Sequence, residues 1–292
     1  MVLDCVQITI FGDSVKQNPS HMNQLSPTRY PSLPQAWGIF GIFVAVSLGL
    51  GILFGTLLPS IGIRNQSIIN FIGYNASMLL VIWLAWRIRP ASPGQEKFLH
   101  FKRVRPILYV NLLLLALSLN VVLDPLSNAI PMPEFMEELF AMLTSRDIWT
   151  FLTVGITGPI LEEVLFRGII LDGFLKRYTA RKAIFWSAFL FGMFHLNPWQ
   201  FIPAFIIGLL LGYVYLKTRS LLPVIVVHII INSFSYLTVY VFGEDVMSYR
   251  DVFADTGPYL ILLAGCLLVL LGSLAWLVRS IRNTHLFQPE EP

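Results

Sequence analysis

Charge is scarce in this chain. Of its 292 residues only 13% are Asp, Glu, Lys or Arg, while 55% are hydrophobic, and soluble domains carry roughly a quarter charged residues. That excess of apolar surface excludes an ordinary soluble domain and implies an integral membrane protein. The formal net charge of +3 is small, so a nucleic-acid-binding role has no support. Cysteine is nearly absent: Cys5 and Cys266 provide neither a disulfide framework nor a metal-binding spacing. A cleavable leader is not expected in these residues. The first 36 residues are polar, contain Pro19, Pro27, Pro31 and Pro34, and lack the short apolar core and small-residue cleavage site of a signal peptide. They are expected to form a mobile cytoplasmic tail. There is no internal repeat and no inverted pair of broken helices of the kind that marks many transporters.

What is present is a series of long apolar runs, at 37–58, 68–86, 107–123, 148–172, 183–198, 200–216, 221–242 and 258–278. A spanning helix needs about 20 apolar residues, and shorter ones serve inside a bundle. The expectation is therefore an all-α polytopic bundle of about eight transmembrane helices, the first acting as an uncleaved anchor. The run 183–198 ends at Asn197-Pro198, which predicts a kinked turn after His195. Small-residue pairs Gly51/Gly55 and Gly208/Gly212 would allow close helix approach. The chain divides into a tail (1–36), N-terminal helices (37–144), a core (145–242), and a last helix with a cytoplasmic C-terminal tail (243–292).

Placing both termini in the cytoplasm puts sixteen of the 20 basic residues on that side, in the tail, the 87–105 and 173–182 segments, Lys217, Arg219, Arg279 and Arg282. Only Arg64, Arg146 and Arg250 fall opposite, with acids such as Asp124, Glu134, Glu137, Glu138, Glu244 and Asp245. Basic loops stay inside, so this orientation is expected, in a cell membrane if the source is bacterial.

Three polar stations interrupt the apolar runs: Glu162-Glu163 with Arg167, His195, and His228 with Asn232. Ionisable groups at membrane depth are costly and mark functional sites by default. Glu163 lies 13 residues before Lys176, His195 lies 13 after Lys182, and Asn232 lies 13 after Arg219, about 20 Å of helix in each case. The stations therefore share one level. Glu163 and Arg167, four apart, can pair on one face, as can His228 and Asn232, while Glu162 points about 100° away from Glu163. That leaves Glu162 available as a general base. A structural ion pair and hydrogen-bonded histidines are the bland readings of these residues taken singly. Their combination at matched depth points to chemistry.

At these residues the chain resembles the CPBP family of CAAX proteases and bacteriocin-processing (Abi) enzymes, related to the Ras-converting CAAX endoprotease. The motifs EExxxR, FxxxH and HxxxN are met in order by Glu162-Glu163…Arg167, Phe191…His195 and His228…Asn232. The resemblance covers about residues 145–240. It implies an eight-helix intramembrane endopeptidase with its site open to the cytoplasmic side. It also implies that Glu162 and His195 activate water, that Glu163 and Arg167 organise the site, and that His228 and Asn232 stabilise the oxyanion. The implied partner is a membrane-associated peptide or protein, prenylated or not, within the lipid bilayer. A zinc-type site of Glu162, His195 and His228 stays open beside the metal-free reading, and no His-Glu-x-x-His helix is present. A proton-coupled transporter or relay built on the same residues, and a catalytically silent immunity or scaffold protein, are the alternatives from other classes.

Overall fold

The computed structural model describes residues 30–89, 99–136, 145–243 and 248–282, and all regular structure among them is helical. The principal helices are α1 (Leu33–Ser60), α2 (Gln66–Arg87), α3 (Pro106–Ser127), α4 (residues 148–175), α5 (Ala180–Met193), α6 (Pro198–Thr218), α7 (Leu221–Phe242) and α8 (Thr256–Arg282). Each matches one expected apolar run. Six of them, all except α4 and α5, are individually long and apolar enough to cross a membrane. α4 is a chain of short α- and π-helical stretches, and α5 has only 14 residues. The expectation of about eight spans thus becomes six long helices plus a composite helix and a short one. Expectations for residues 1–29, for Lys97 and its neighbours in 90–98, for Glu137, Glu138, Glu244 and Asp245, and for residues 283–292 lie outside the described residues.

The helix ends follow local chemistry. α1 starts four residues earlier than expected because Ser32 and Gln35 form a reciprocal capping box and Pro34 occupies the first turn, where a missing N–H costs nothing. Tyr30, assigned above to a mobile tail, is instead buried, and its hydroxyl is pushed above its ordinary pKa by that burial. Asp147 caps α4, accepting from the N–H groups of Trp149 and Thr150 at 2.8 and 3.0 Å and from the Ser67 hydroxyl of α2. Burial pushes the Asp147 carboxyl up, but these hydrogen bonds outweigh it and hold the group below the ordinary carboxylate range. After α5 the backbone turns through Leu196, at φ 56°, and Asn197 caps α6 through the Gln200 N–H at 2.8 Å. The break expected at Asn197-Pro198 is therefore a full helix-turn-helix reversal.

α5 and α6 form an antiparallel hairpin, α1 packs on α2, α8 packs on α3, and α7 lies between α3 and α4. Gly208 and Gly212 face α5, where an added Cβ would come within 3.0 Å of Ala188 and 3.2 Å of Ile184, so this pair does set the helix separation. Gly51 and Gly55 have nothing within 4 Å, so the first pair does not serve that purpose within the chain. Large apolar side chains such as Ile52, Ile261 and Leu268 are 70–74% exposed. Such an outer surface suits hydrocarbon rather than water.

Candidate active site

α4 carries the first station, and its backbone is unusual. Pro159 has no N–H, and the Gly158 N–H bonds back five residues to Thr153 O. Val154 O is therefore left without a donor four or five residues ahead on its own helix. An orphaned carbonyl in an apolar interior must find a partner, and the Asn232 amide of α7 donates to it at 3.0 Å. One residue along, Ser233 Oγ donates to Gly155 O at 3.3 Å. Two π-helical stretches, Leu152–Thr157 and Val164–Leu171, flank the glutamates, and such distortions concentrate at functional sites.

Glu163 and Arg167 are the most deeply buried ionic groups in the bundle, 0% and 1% exposed. Arg167 Nη1 donates to Glu163 Oε1 at 2.6 Å, and Nη2 donates to Gly208 O of α6 at 3.1 Å. The guanidinium also lies over the Phe191 ring, 4.6 Å from its centroid. A planar fork serves this triple contact, which a lysine could not reproduce. The same Glu163 oxygen accepts from His228 Nδ1 at 2.8 Å. Glu163 thus joins α4 to α7, while Arg167 joins α4 to α6 and α5.

With Nδ1 committed to Glu163, His228 turns Nε2 toward Glu162 Oε2, 3.7 Å away. Glu162 is 92% buried, and its Oε1 accepts from the Tyr74 hydroxyl of α2 at 2.5 Å. Its Oε2 has no hydrogen-bond partner. Sequence reading missed Tyr74. The available signal was a tyrosine in the middle of an apolar helix, whose hydroxyl needs a buried partner. Gly158 serves the helix itself: an added Cβ there would come within 2.6 Å of Thr153 O, while it would meet the Tyr74 ring at an ordinary contact distance of 3.5 Å.

His195 sits in the turn after α5. Its Nδ1–H donates to Phe191 O at 3.1 Å, which leaves Nε2 as the ring's free nitrogen. Phe191 meets the rings of both histidines edge to face, at centroid distances of 5.4 and 5.6 Å. The residue of the FxxxH pattern that reads as packing is therefore the platform that holds both imidazoles and the arginine. Ser187 and Ser233 bond to backbone carbonyls, Phe166 O and Gly155 O, as helix braces.

His195, His228 and Asn232 all line a cavity of about 360 Å³, inside the range of small-ligand sites. It continues between α3, α6 and α7 to Asp124, Gln200, Thr238 and Ser248. At that end Asp124 accepts from Ser248 Oγ, the Tyr249 N–H and Tyr259 Oη at 2.7–3.1 Å. As arranged, the proposed ligand set does not suit a metal: among the described residues no three His, Cys, Asp or Glu side chains are grouped so as to hold one ion. The six residues of the three motifs are otherwise joined in one cluster by α4, α5 and α7.

Residues 144–234 match the family model described as type II CAAX prenyl endopeptidase Rce1-like. This match supports a CAAX-protease-family assignment for the segment. The match contains every motif residue and begins and ends close to the core read from the sequence. The chain is also 32% identical, over 128 residues, to an uncharacterised 24.3 kDa protein of Escherichia coli, covering 42% of the present chain. It spans about half of that relative's length, 55%. No solved structure matches. The CAAX-protease domain comprises α4 to most of α7, with Tyr74 contributed from outside it.

Proposed function

We propose that the chain is an intramembrane endopeptidase in which Glu162 activates water against a peptide bond held in the cavity. The observation that carries this reading is the buried Oε2 of Glu162, without a hydrogen-bond partner among the described residues and 3.7 Å from Nε2 of His228, a residue that lines the cavity together with His195 and Asn232. Water attacks the carbonyl carbon as its proton passes to Glu162, with His195 Nε2 orienting it. The developing oxyanion is met by the Asn232 amide hydrogen not used by Val154 O, with the His228 ring beside it in the cavity wall. Collapse breaks the C–N bond, and Glu162 returns the proton to the leaving amine. Glu163 and Arg167 position His228 rather than react. The substrate would be a membrane-associated peptide, as the family's described specificity suggests.

On the C-terminal side of the glutamates, Leu171, Phe174, Leu211, Leu221 and Val224 are fully buried, and so are the polar Asp172, Tyr215 and Ser220, so hydrolysis and a proton relay are separated by experiment. The test is a comparison of membrane-peptide profiles between wild-type protein and Glu162→Gln. A peptide that accumulates only with the variant, and that purified wild-type protein cuts, is the expected result. Identical profiles with an inert wild-type protein would overturn the reading.

A further inference from the structure

We infer that the end of the bundle where α2, α4 and α6 finish binds the phosphate of an anionic lipid headgroup, with Arg219 and Lys102 as its principal contacts. That end carries the marks of a membrane–water boundary. Arg87 lies over the Trp83 ring, Lys182 over Tyr178 and Lys217 over Tyr213, at 4.9–5.8 Å from the ring centroids. Aromatic rings paired with long cationic side chains collect at headgroup depth, where the ring meets hydrocarbon and the charge meets water.

Scattered basic residues at helix ends would only snorkel to water. Here they converge on a built feature. Asp172, buried at the end of α4, holds Lys176 Nζ at 2.7 Å and draws Arg219 Nη1 to 3.8 Å, while the Tyr215 hydroxyl donates to it at 3.4 Å. Arg89, just after α2, also lies within reach of its charge. One carboxylate thus faces three cations, and it is the only acid in segments 87–89, 99–105, 172–182 and 217–221, so the positive charge is left in excess. Arg219 caps α6 at φ 48°, in the left-handed conformation that glycine adopts with least strain. At 3.8 Å its exposed guanidinium is too far from Asp172 for a hydrogen bond. The carboxylate therefore steers the planar fork while leaving it open to a phosphate. The segment before α3 brings more charge alongside: the Leu221 N–H donates to His100 O at 2.8 Å, and Ser220 Oγ accepts from Lys102 N at 2.9 Å and donates to Lys102 O at 2.6 Å. Lys102 and Arg103 are exposed there, and so are Phe101 and Ile107. Apolar and basic side chains interleaved in this way suit a lipid, which brings an acyl chain beside its phosphate, better than a free anion.

The test titrates the detergent-solubilised full chain with short-chain phosphatidylglycerol, short-chain phosphatidylcholine or inorganic phosphate and reads the shift in thermal midpoint, which reports binding to the folded state. No substrate is needed, so the lipid site stands or falls apart from the protease reading. Phosphatidylglycerol should raise the wild-type midpoint and lose that effect at high salt, with phosphatidylcholine and phosphate inert. Arg219→Gln should weaken the apparent affinity about 5-fold and Lys102→Gln/Arg219→Gln about 30-fold, the usual worth of one basic residue near an anionic surface counted once and then twice. Both variants keep the Lys176–Asp172 pair, and only monodisperse protein is scored. Arg64→Gln, between α1 and α2 at the other end of the bundle, should bind like wild type. The inference is overturned by a wild-type midpoint that phosphatidylglycerol leaves unmoved, by an undiminished shift in the double variant, or by an equal loss in Arg64→Gln. A shift with phosphatidylcholine or with phosphate alone as large as that with phosphatidylglycerol overturns the anionic-lipid assignment in the same way.

Discussion

A buried ion pair is held by geometry, and its partners are not interchangeable. Glu163 receives Arg167 and His228 on one oxygen, so removing the guanidinium leaves an uncompensated carboxylate at a cost of about 3–5 kcal/mol. Arg167→Ala is expected to lose folded protein as well as activity, measured by the detergent thermal midpoint and the yield of monodisperse protein. Tyr74→Phe separates positioning from folding. It removes the hydrogen bond that Glu162 Oε1 accepts from Tyr74, and turnover should fall roughly 10-fold, equivalent to about 1.4 kcal/mol, while the thermal midpoint stays close to wild type. Asn232 has two duties, since it donates to Val154 O and faces the cavity. Asn232→Ala should therefore lower turnover about 100- to 1000-fold, as loss of an oxyanion donor does. It should also destabilise the fold by about 1–3 kcal/mol through the orphaned carbonyl. A normal midpoint in that variant would show that Val154 O finds another donor.

At the level of elements, α4 is an assembly whose register is set from outside. The cap at Asp147 ties its start to Ser67 of α2 and to its own first turn. The folded Asp147 carboxyl lies below its ordinary value, so the sign follows directly. The cap contributes stability above the unfolded value of about pH 4 and loses it as pH falls through the lower folded value. Asp147→Ala should cost about 0.5–2 kcal/mol at neutral pH, the usual range for an N-cap, and should flatten the acid limb of a midpoint-versus-pH curve. An unchanged acid limb would place the acid sensitivity in another group.

At the level of the whole molecule, the distribution of basic residues predicts an orientation. A fluorescent-protein fusion after residue 292 is expected to fold and fluoresce in the cytoplasm, while a periplasm-dependent phosphatase reporter at the same position stays inactive. The opposite pattern would invert the bundle. The exposed apolar faces of α1 and α8 fit the lipid boundary of such a bundle, because helix association in lipid relies on close packing like that at Gly208 and polar links like that from Arg167.

Eight apolar runs were legible in the sequence because hydrophobic length is a one-dimensional property, while the helix ends differ by a few residues, at Ser32 and Asn197 through local caps. The three polar stations were legible for a related reason: charge in hydrocarbon is too costly to be incidental, so Glu162, Glu163, Arg167, His195, His228 and Asn232 stood out by type and spacing. The Glu163–Arg167 pairing followed from their separation by four residues on one helix. Tertiary structure decided what no spacing contains. It set Tyr74 of α2 against Glu162, and it placed His228 rather than His195 as the imidazole beside both glutamates. It also recruited the Asn232 amide to a carbonyl stranded by Pro159. Those contacts join helices that are distant in sequence, and their existence depends on which faces pack.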